Sequence, residues 1–287
     1  MRSEGKARKM IILSLILVLG LPLVITVPAM AYTIDGDLDD WGVNPANNSW
    51  TANPPALSVY DNWPNGPTST GKIHNPGIEQ CDIEAMYAAD GGAYVYFALI
   101  TSMPPEGHDY VRNSKHYLLI SGDLALNLDN DNGTGEYGYE YGIKLTNDSR
   151  TVSGEIGDVF YMPDWEKITS DPWVAQSLLE FSNMVDGTKT GHAEVVYKSY
   201  SDWPSDNNES NYVIEMKVPK DALGISGNGT AYLLATVSCT NDVLKIGKFT
   251  YTPVPEFTTI AVPLAMVLGL FYYYRRKRQG EGKNKGE

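Results

Sequence analysis

The fold is decided by the stretch Asp82-Ile-Glu-Ala-Met-Tyr-Ala88 together with Ala93-Tyr-Val-Tyr-Phe-Ala-Leu-Ile100, which follows across the turn Asp90-Gly-Gly92. Aromatic and β-branched residues stand on both sides of a glycine-rich turn. That pattern is typical of a β-hairpin. The chain is therefore expected to build its core from paired strands.

Similar strand patterns recur along the chain. Further candidates span residues 116–121, 123–128, 137–145, 156–161, 192–198, 211–218, 230–239 and 244–251. Residues 44–80 are rich in Pro, Asn and Gly and are expected to be mainly loop, and the best helical candidate is 171–184. Many short strands separated by turns predict an all-β fold, a β-sandwich over residues 32–252.

The N-terminal 31 residues have the order of a secretory signal peptide. A basic start precedes an apolar run from Met10 to Val27, and Ala29-Met-Ala31 supplies the small residues of a cleavage site. We expect signal peptidase to cut after Ala31. The alternative is an uncleaved N-terminal membrane helix, which Pro22, Pro28 and the cleavage site disfavour.

The C-terminal segment, residues 253–287, predicts a membrane anchor. Residues 258–274 carry no charge, which is short but sufficient for a transmembrane helix, and a basic tail follows at 275–278. Basic clusters next to an apolar segment stay on the cytoplasmic side, so residues 32–252 are expected outside the cell.

The motif Pro255-Glu256-Phe257, then the apolar span and the basic tail, resembles the PEF-CTERM sorting signal of archaeal surface proteins. The resemblance implies recognition by an archaeosortase, cleavage near the motif and transfer to a lipid anchor. The alternative is an ordinary single-pass membrane tail.

The ectodomain is strongly acidic. Of 22 basic and 35 acidic residues, residues 1–31 and 258–287 hold 10 and 3, which leaves 12 and 32 and a net charge of −20 for residues 32–257. This charge makes nucleic acid an improbable partner, because phosphate binding needs clustered Lys and Arg. Cations are favoured instead, unless the acidic surface only keeps the protein soluble.

Extracellular exposure affects two further sets of residues. Cys81 and Cys239 are the only cysteines, and an isolated pair outside the cell predicts one disulfide. The alternative is a pair of free buried thiols. The N-x-S/T sequons predict glycosylation at Asn47, Asn132, Asn147, Asn208 and Asn228.

Four segments of the ectodomain resemble CBM9-like and DOMON-like domains. They are the opening 33–41 with Ile-Asp-Gly and Asp40-Trp41, the hairpin 82–97, the acidic loop and strand 127–141, and the late strand and turn 212–223. The resemblance implies a jelly-roll-like sandwich with a structural Ca²⁺ ion. In some relatives it implies sugar binding and in others haem binding, and it implies no catalysis.

Two acidic sets are candidate calcium ligands. In the first, the resemblance implies that the opening segment lies near the first core hairpin, so that one Ca²⁺ ion would bridge Asp35, Asp37, Asp82 and Glu84. The second is an oxygen-rich loop with Asp129, Asp131 and Glu140, whose spacing departs from an EF-hand. Solvated turns are the alternative for both sets.

Two functions remain open for this surface protein. No motif of a hydrolase, metalloprotease or nucleotide-binding enzyme is present, so we expect no catalytic activity. A calcium-stabilised protein with a structural or adhesive role is the first interpretation. The alternative is a carbohydrate-binding module that recognises surface glycans, with three tryptophans as candidates for stacking on sugars: Trp63, Trp165 and Trp203.

Overall fold

The computed structural model describes residues 31–61, 79–167, 181–201, 203, 210–240, 242–254 and 266–276. Residues 266–276 are helical. Among the described residues, no helix has the length and apolar character needed to cross a membrane. The predicted transmembrane helix over 258–274 is thus not confirmed, and its first half lies outside the described residues.

The described residues form thirteen strands, and every pairing within the sheets is antiparallel. The five-stranded sheet has the order β1 (Leu57–Tyr60), β2 (Ile83–Gly91), β3 (Tyr94–Thr101), β11 (Asn211–Pro219) and β10 (Glu194–Tyr200). The six-stranded sheet has the order β13 (Val243–Tyr251), β12 (Gly229–Thr236), β6 (Leu124–Asn127), β7 (Tyr141–Ile143), β8 (Asp158–Lys167) and β9 (Phe181–His192). A separate hairpin joins β4 (His108–Arg112) and β5 (Lys115–Leu119), and two short 3₁₀ turns cover Pro45–Asn47 and Glu79–Cys81.

The two large sheets pack face to face around one core, which confirms the predicted β-sandwich. Successive side chains of a strand point to opposite faces, so the inner face of β3 presents Val95, Phe97 and Leu99. Phe97 meets Phe249 of the opposite sheet edge-on, with ring centroids 6.0 Å apart. Burial of this inner face supplies the main driving force for the fold.

The outer face of the five-stranded sheet is also buried, because the N-terminal segment 31–56 lies across it. Alternation places Tyr87 of β2 and Tyr96 of β3 on this face. Trp41 and Tyr32 cover them, and the rings of these two residues stack with centroids 3.9 Å apart. The segment therefore acts as a third layer over the sheet.

The sandwich has two ends, which we name by the strand termini found there. The distal end contains the start of β2, the end of β3, and the starts of β11 and β13. The anchor end contains the β2–β3 turn, the turn after β11, and the end of β13, after which the chain continues to the C-terminal segment.

Three strands and one helix differ from expectation. β1 lies in the range expected to be loop, and β4 and β9 have no counterpart among the candidate strands. The helix expected over 171–184 is wrong for its last four residues, which begin β9. Residues 168–180 lie outside the described residues.

Candidate cation site

A cluster of five buried carboxylates lies at the distal end. Its members come from the end of β1, the 3₁₀ turn, the start of β2 and the residue before β13, and each is at most 3% exposed: Asp61, Glu79, Asp82, Glu84 and Asp242. Asp82 and Glu84 were expected to belong to one site. The structure brings them together and adds the other three.

Local backbone geometry positions these side chains. The amide of Asp82 donates to the carbonyl of Glu79 at 2.8 Å, which closes the 3₁₀ turn. The register between β2 and β3 shifts at Glu84, so this residue sits in a β-bulge. Bulges re-aim a side chain relative to the regular alternation. Glu84 is accordingly fully buried at the strand end.

The hydroxyl of Ser102 lies at the centre of the cluster. Its Oγ is 3.2 Å from Glu79 Oε1, 3.1 Å from Glu84 Oε1 and 3.0 Å from Asn211 Oδ1. A serine hydroxyl carries one proton and can donate only one hydrogen bond. Ser102 can therefore donate to only one of these three oxygens at a time.

The pKa shifts of Asp82 and Glu84 show that burial and mutual repulsion both disfavour charge in this cluster. Burial is the main cause that raises the pKa of both Asp82 and Glu84 well above its usual range. Neighbouring carboxylates raise it further, above all Glu84 for Asp82 and Glu79 for Glu84. Every neighbouring group that raises these two pKa values is itself a carboxylate.

The donor set fits Ca²⁺, which binds through carboxylate, hydroxyl and carbonyl oxygens. Glu84 Oε2 is buried and has no hydrogen-bond partner within the described part of the chain. As the structure stands, however, no three acidic, His or Cys side chains among the described residues form a group that could hold a metal ion. The carboxylates would thus have to move closer together to bind one.

The expected bridge from the opening segment to Asp82 and Glu84 is not confirmed, and the contacts of that segment are with other residues. The amides of Asp35 and Gly36 donate to Glu215 Oε2 at 3.1 and 3.0 Å. Asp37 pairs with Lys198 at 3.5 Å. Trp41 Nε1 donates to Glu215 Oε1 at 2.8 Å, so the Asp-Gly turn is held by β11 and not by the β2–β3 hairpin.

The second acidic set forms a loop after β6 that is folded by its own hydrogen bonds. Asp129 and Asp131 are exposed and accept from backbone amides two residues on, both at 2.8 Å. Glu140 is buried and accepts from the amides of Leu128 and Asp129. Its Oε2 has no partner among the described residues, and Glu140 and Asp129 line a cavity of about 300 Å³. The loop is thus a second, more solvated cation candidate.

The structure does not contain the expected disulfide bond. Cys81 and Cys239 are neighbours at the distal end, but both are free thiols. The two sulfurs are 3.1 Å apart, as in a hydrogen bond, whereas a disulfide bond measures about 2.05 Å. The hydrogen bond with Cys239, followed by burial, holds the pKa of Cys81 well above its usual range, which keeps this thiol protonated.

The predicted sugar-stacking tryptophans and the predicted glycosylation sites differ in how exposed they are. Trp165 is only 3% exposed and packs on Phe181, so its expected role in sugar stacking is wrong. Trp203 is half-buried and stacks on Tyr200 with ring centroids 3.9 Å apart. Trp63 and Asn208 lie outside the described residues. The other four sequon asparagines are exposed, as glycosylation requires: Asn47, Asn132, Asn147 and Asn228.

Comparison with known proteins identifies the C-terminal segment. Residues 254–278 match the family model of the PEF-CTERM archaeal protein sorting domain. This confirms the predicted sorting signal, whose motif residues Pro255, Glu256 and Phe257 fall in the matched range but outside the described residues. No curated protein and no solved structure matches the chain. The resemblance to CBM9-like and DOMON-like domains stays a prediction.

The sorting signal has a direct consequence for location. Proteins that carry it are anchored at the cell surface after processing by an archaeosortase. The β-sandwich is therefore the surface-exposed part of an anchored protein.

Proposed function

We propose that this protein is a non-catalytic component of the cell surface with a structural or adhesive role, and that Ca²⁺ bound at the distal end stabilises its sandwich. The observation that carries the proposal is the carboxylate cluster around Ser102. Its members are buried against one another, and their mutual repulsion adds to the burial that raises the pKa of Asp82 and Glu84. A divalent cation relieves both the repulsion and the burial of charge.

Calcium-dependent thermal unfolding tests the proposal. A cation that binds only the folded state raises the unfolding free energy by about 2.7 kcal/mol at a concentration 100 times its dissociation constant. For a domain of this size, that corresponds to a rise in the midpoint of roughly 5–10 °C. Melts of the ectodomain in chelator and in excess calcium should differ by this amount. Equal midpoints would refute calcium stabilisation.

Two variants assign the effect to one of the two candidate sites. Glu84→Gln removes one ligand and one repulsive charge from the distal cluster. In chelator it should melt at or above the wild-type midpoint, and it should lose most of the calcium shift. Glu140→Gln, in the loop after β6, should keep that shift. The matched control is Glu194→Gln, since this exposed carboxylate only pairs with Lys217 at 3.4 Å.

A second candidate function is glycan binding, and one observation favours it. Trp203 stacks on Tyr200 at the edge strand β10, and Lys198 lies 5.1 Å from the centre of the Tyr200 ring. Aromatic surfaces with polar neighbours can stack on sugar rings. A glycan array with the ectodomain should then give signals that Trp203→Ala abolishes. An array without signal would leave the structural or adhesive role.

A further inference from the structure

The end of strand β13 is held by a clamp of two charged side chains. Asp90 Oδ2 accepts from Thr252 twice, from the amide at 3.0 Å and from Oγ1 at 2.7 Å. Lys220 Nζ donates to the carbonyl of Thr252 at 2.8 Å and to that of Gly92 at 2.7 Å. Amide, side chain and carbonyl of Thr252 are therefore all engaged.

An ion pair between Lys220 and Asp90 completes the clamp, and its lysine is fully buried. Lys220 Nζ is 2.5 Å from Asp90 Oδ1, and the side chain of Lys220 is 0% exposed. A charge buried in this way is strongly disfavoured without its partner, so the pair stays formed in the folded state. Asp90 is the second-last residue of β2 and Lys220 directly follows β11, so both belong to the anchor end.

The clamp lies immediately before the sorting signal. The matched signal begins at residue 254, two residues after Thr252. The uncharged anchor segment begins at residue 258, six residues after Thr252, and six residues of extended chain reach at most about 20 Å. The anchor, whether a lipid near the motif or a retained segment, is therefore joined to the anchor end by a tether no longer than this.

We propose that the Asp90–Lys220 clamp on Thr252 fixes the orientation of the sandwich, so that the turns 91–93 and 220–224 face the lipid headgroups of the membrane. The opposite, distal end then points away from the cell. The proposal rests on the sorting signal and is independent of calcium binding, so its test has a separate outcome from the calcium melts.

Two exposed positions report this orientation. Ala93 lies in the β2–β3 turn at the anchor end, and Asn147 lies beyond the end of β7 at the distal end. A nine-residue strand separates the two ends by roughly 30 Å. The full chain is labelled with a fluorophore at Ala93→Cys or at Asn147→Cys and incorporated in vesicles that contain headgroup-spin-labelled lipid. The native thiols are buried and should not be labelled in the folded protein.

Quenching by the spin-labelled headgroups should be at least several-fold stronger at position 93 than at position 147. Lys220→Met should reduce this ratio by at least half, because Thr252 loses the donor to its carbonyl and Asp90 loses the ion-pair partner that holds it against Thr252. Lys217→Met is the matched control, since Lys217 lies at the same end over the Tyr94 ring and does not contact Thr252. It should leave the ratio unchanged.

A second variant keeps the test decisive if Lys220→Met does not fold. Insertion of an eight-residue Gly/Ser linker between Pro253 and Val254 leaves the clamp intact and adds roughly 16 Å of flexible reach. The quenching ratio should then approach one. Equal quenching at positions 93 and 147 in the wild type, or an unchanged ratio after the insertion, would overturn the proposal.

Discussion

Glu215 connects the first residues of the sandwich to a late strand through a single buried carboxylate. It accepts three hydrogen bonds, from two amides of the Asp35-Gly36 turn and from the Trp41 indole. Burial nevertheless dominates and raises the pKa of Glu215 to about 7. The folded protein therefore keeps a proton on Glu215 at pH values where the unfolded chain has released it.

This pKa shift predicts a pH dependence of stability. Between the ordinary value of 4.5 and about 7, the folded state binds more protons than the unfolded state, so the unfolding free energy falls as pH rises through this range. Denaturant unfolding at pH 5 and pH 8 in saturating calcium measures the difference. Glu215→Gln cannot titrate and should show a shallower dependence. The same slope in both proteins would contradict the assignment.

The free thiols at the distal end predict insensitivity to reductant. Because Cys81 and Cys239 are not bonded, a reducing agent should leave the thermal midpoint unchanged within about 1 °C, whereas loss of a native disulfide usually costs about 2–5 kcal/mol. Alkylation in denaturant without reductant, followed by mass spectrometry, should modify both residues. Modification only after reduction would show that the thiols are oxidised in solution.

At the scale of elements, the N-terminal segment 31–56 is a structural layer of the sandwich. Trp41 is 0% exposed and packs between Tyr32 and Tyr87. Trp41→Ala should cost about 3–5 kcal/mol, because it opens a cavity and leaves Glu215 with fewer partners. Trp203→Ala, at a half-buried site, should cost about 1 kcal/mol. Denaturant unfolding of both variants checks the difference. Similar losses would contradict the role of the segment.

The elements that sequence patterns predict well are those with strong apolar alternation. The hairpin β2–β3 and the late strands β11 to β13 were predicted within a few residues. The sequence pattern does not predict β9 because most of its length is exposed and polar. Within it, Gly187 is followed by the polar run Thr188-Lys189-Thr190. β1 is four residues long and follows a proline-rich stretch. Such strands are stabilised by their neighbours in the sheet and carry little local signal of their own.

The candidate cation site was predicted only in part, for a related reason. Asp82 and Glu84 stand close together in the sequence, and their spacing suggested a shared face. Asp61, Glu79 and Asp242 reach the same place from a strand end, a 3₁₀ turn and a late loop. Nothing local in the sequence marks such residues as partners, because strand order and register bring them together.

At the scale of the whole molecule, both termini should be absent from the mature protein. Signal peptidase should leave Tyr32 as the first residue, and archaeosortase should remove the segment after the Pro255-Glu256-Phe257 motif. Intact-mass measurement and peptide mapping of protein purified from membranes test both ends. Recovery of peptides from residues 258–274 in the mature species would show a retained membrane tail. An N-terminus before Ala31 would contradict signal cleavage.

The contact between the N-terminal segment and Glu215 also sets an order of events during export. The turn at Asp35-Gly36 is separated from Glu215 by 179 to 180 residues. A chain that crosses the membrane with its N-terminus first delivers this turn long before strand β11, and contacts between such distant residues form slowly. With export directed by the predicted signal peptide, the sandwich cannot close while the chain is still threading through the translocation channel. The inner apolar faces of β2 and β3 then stay open to chaperones and proteases outside the cell until β12 and β13 have also emerged.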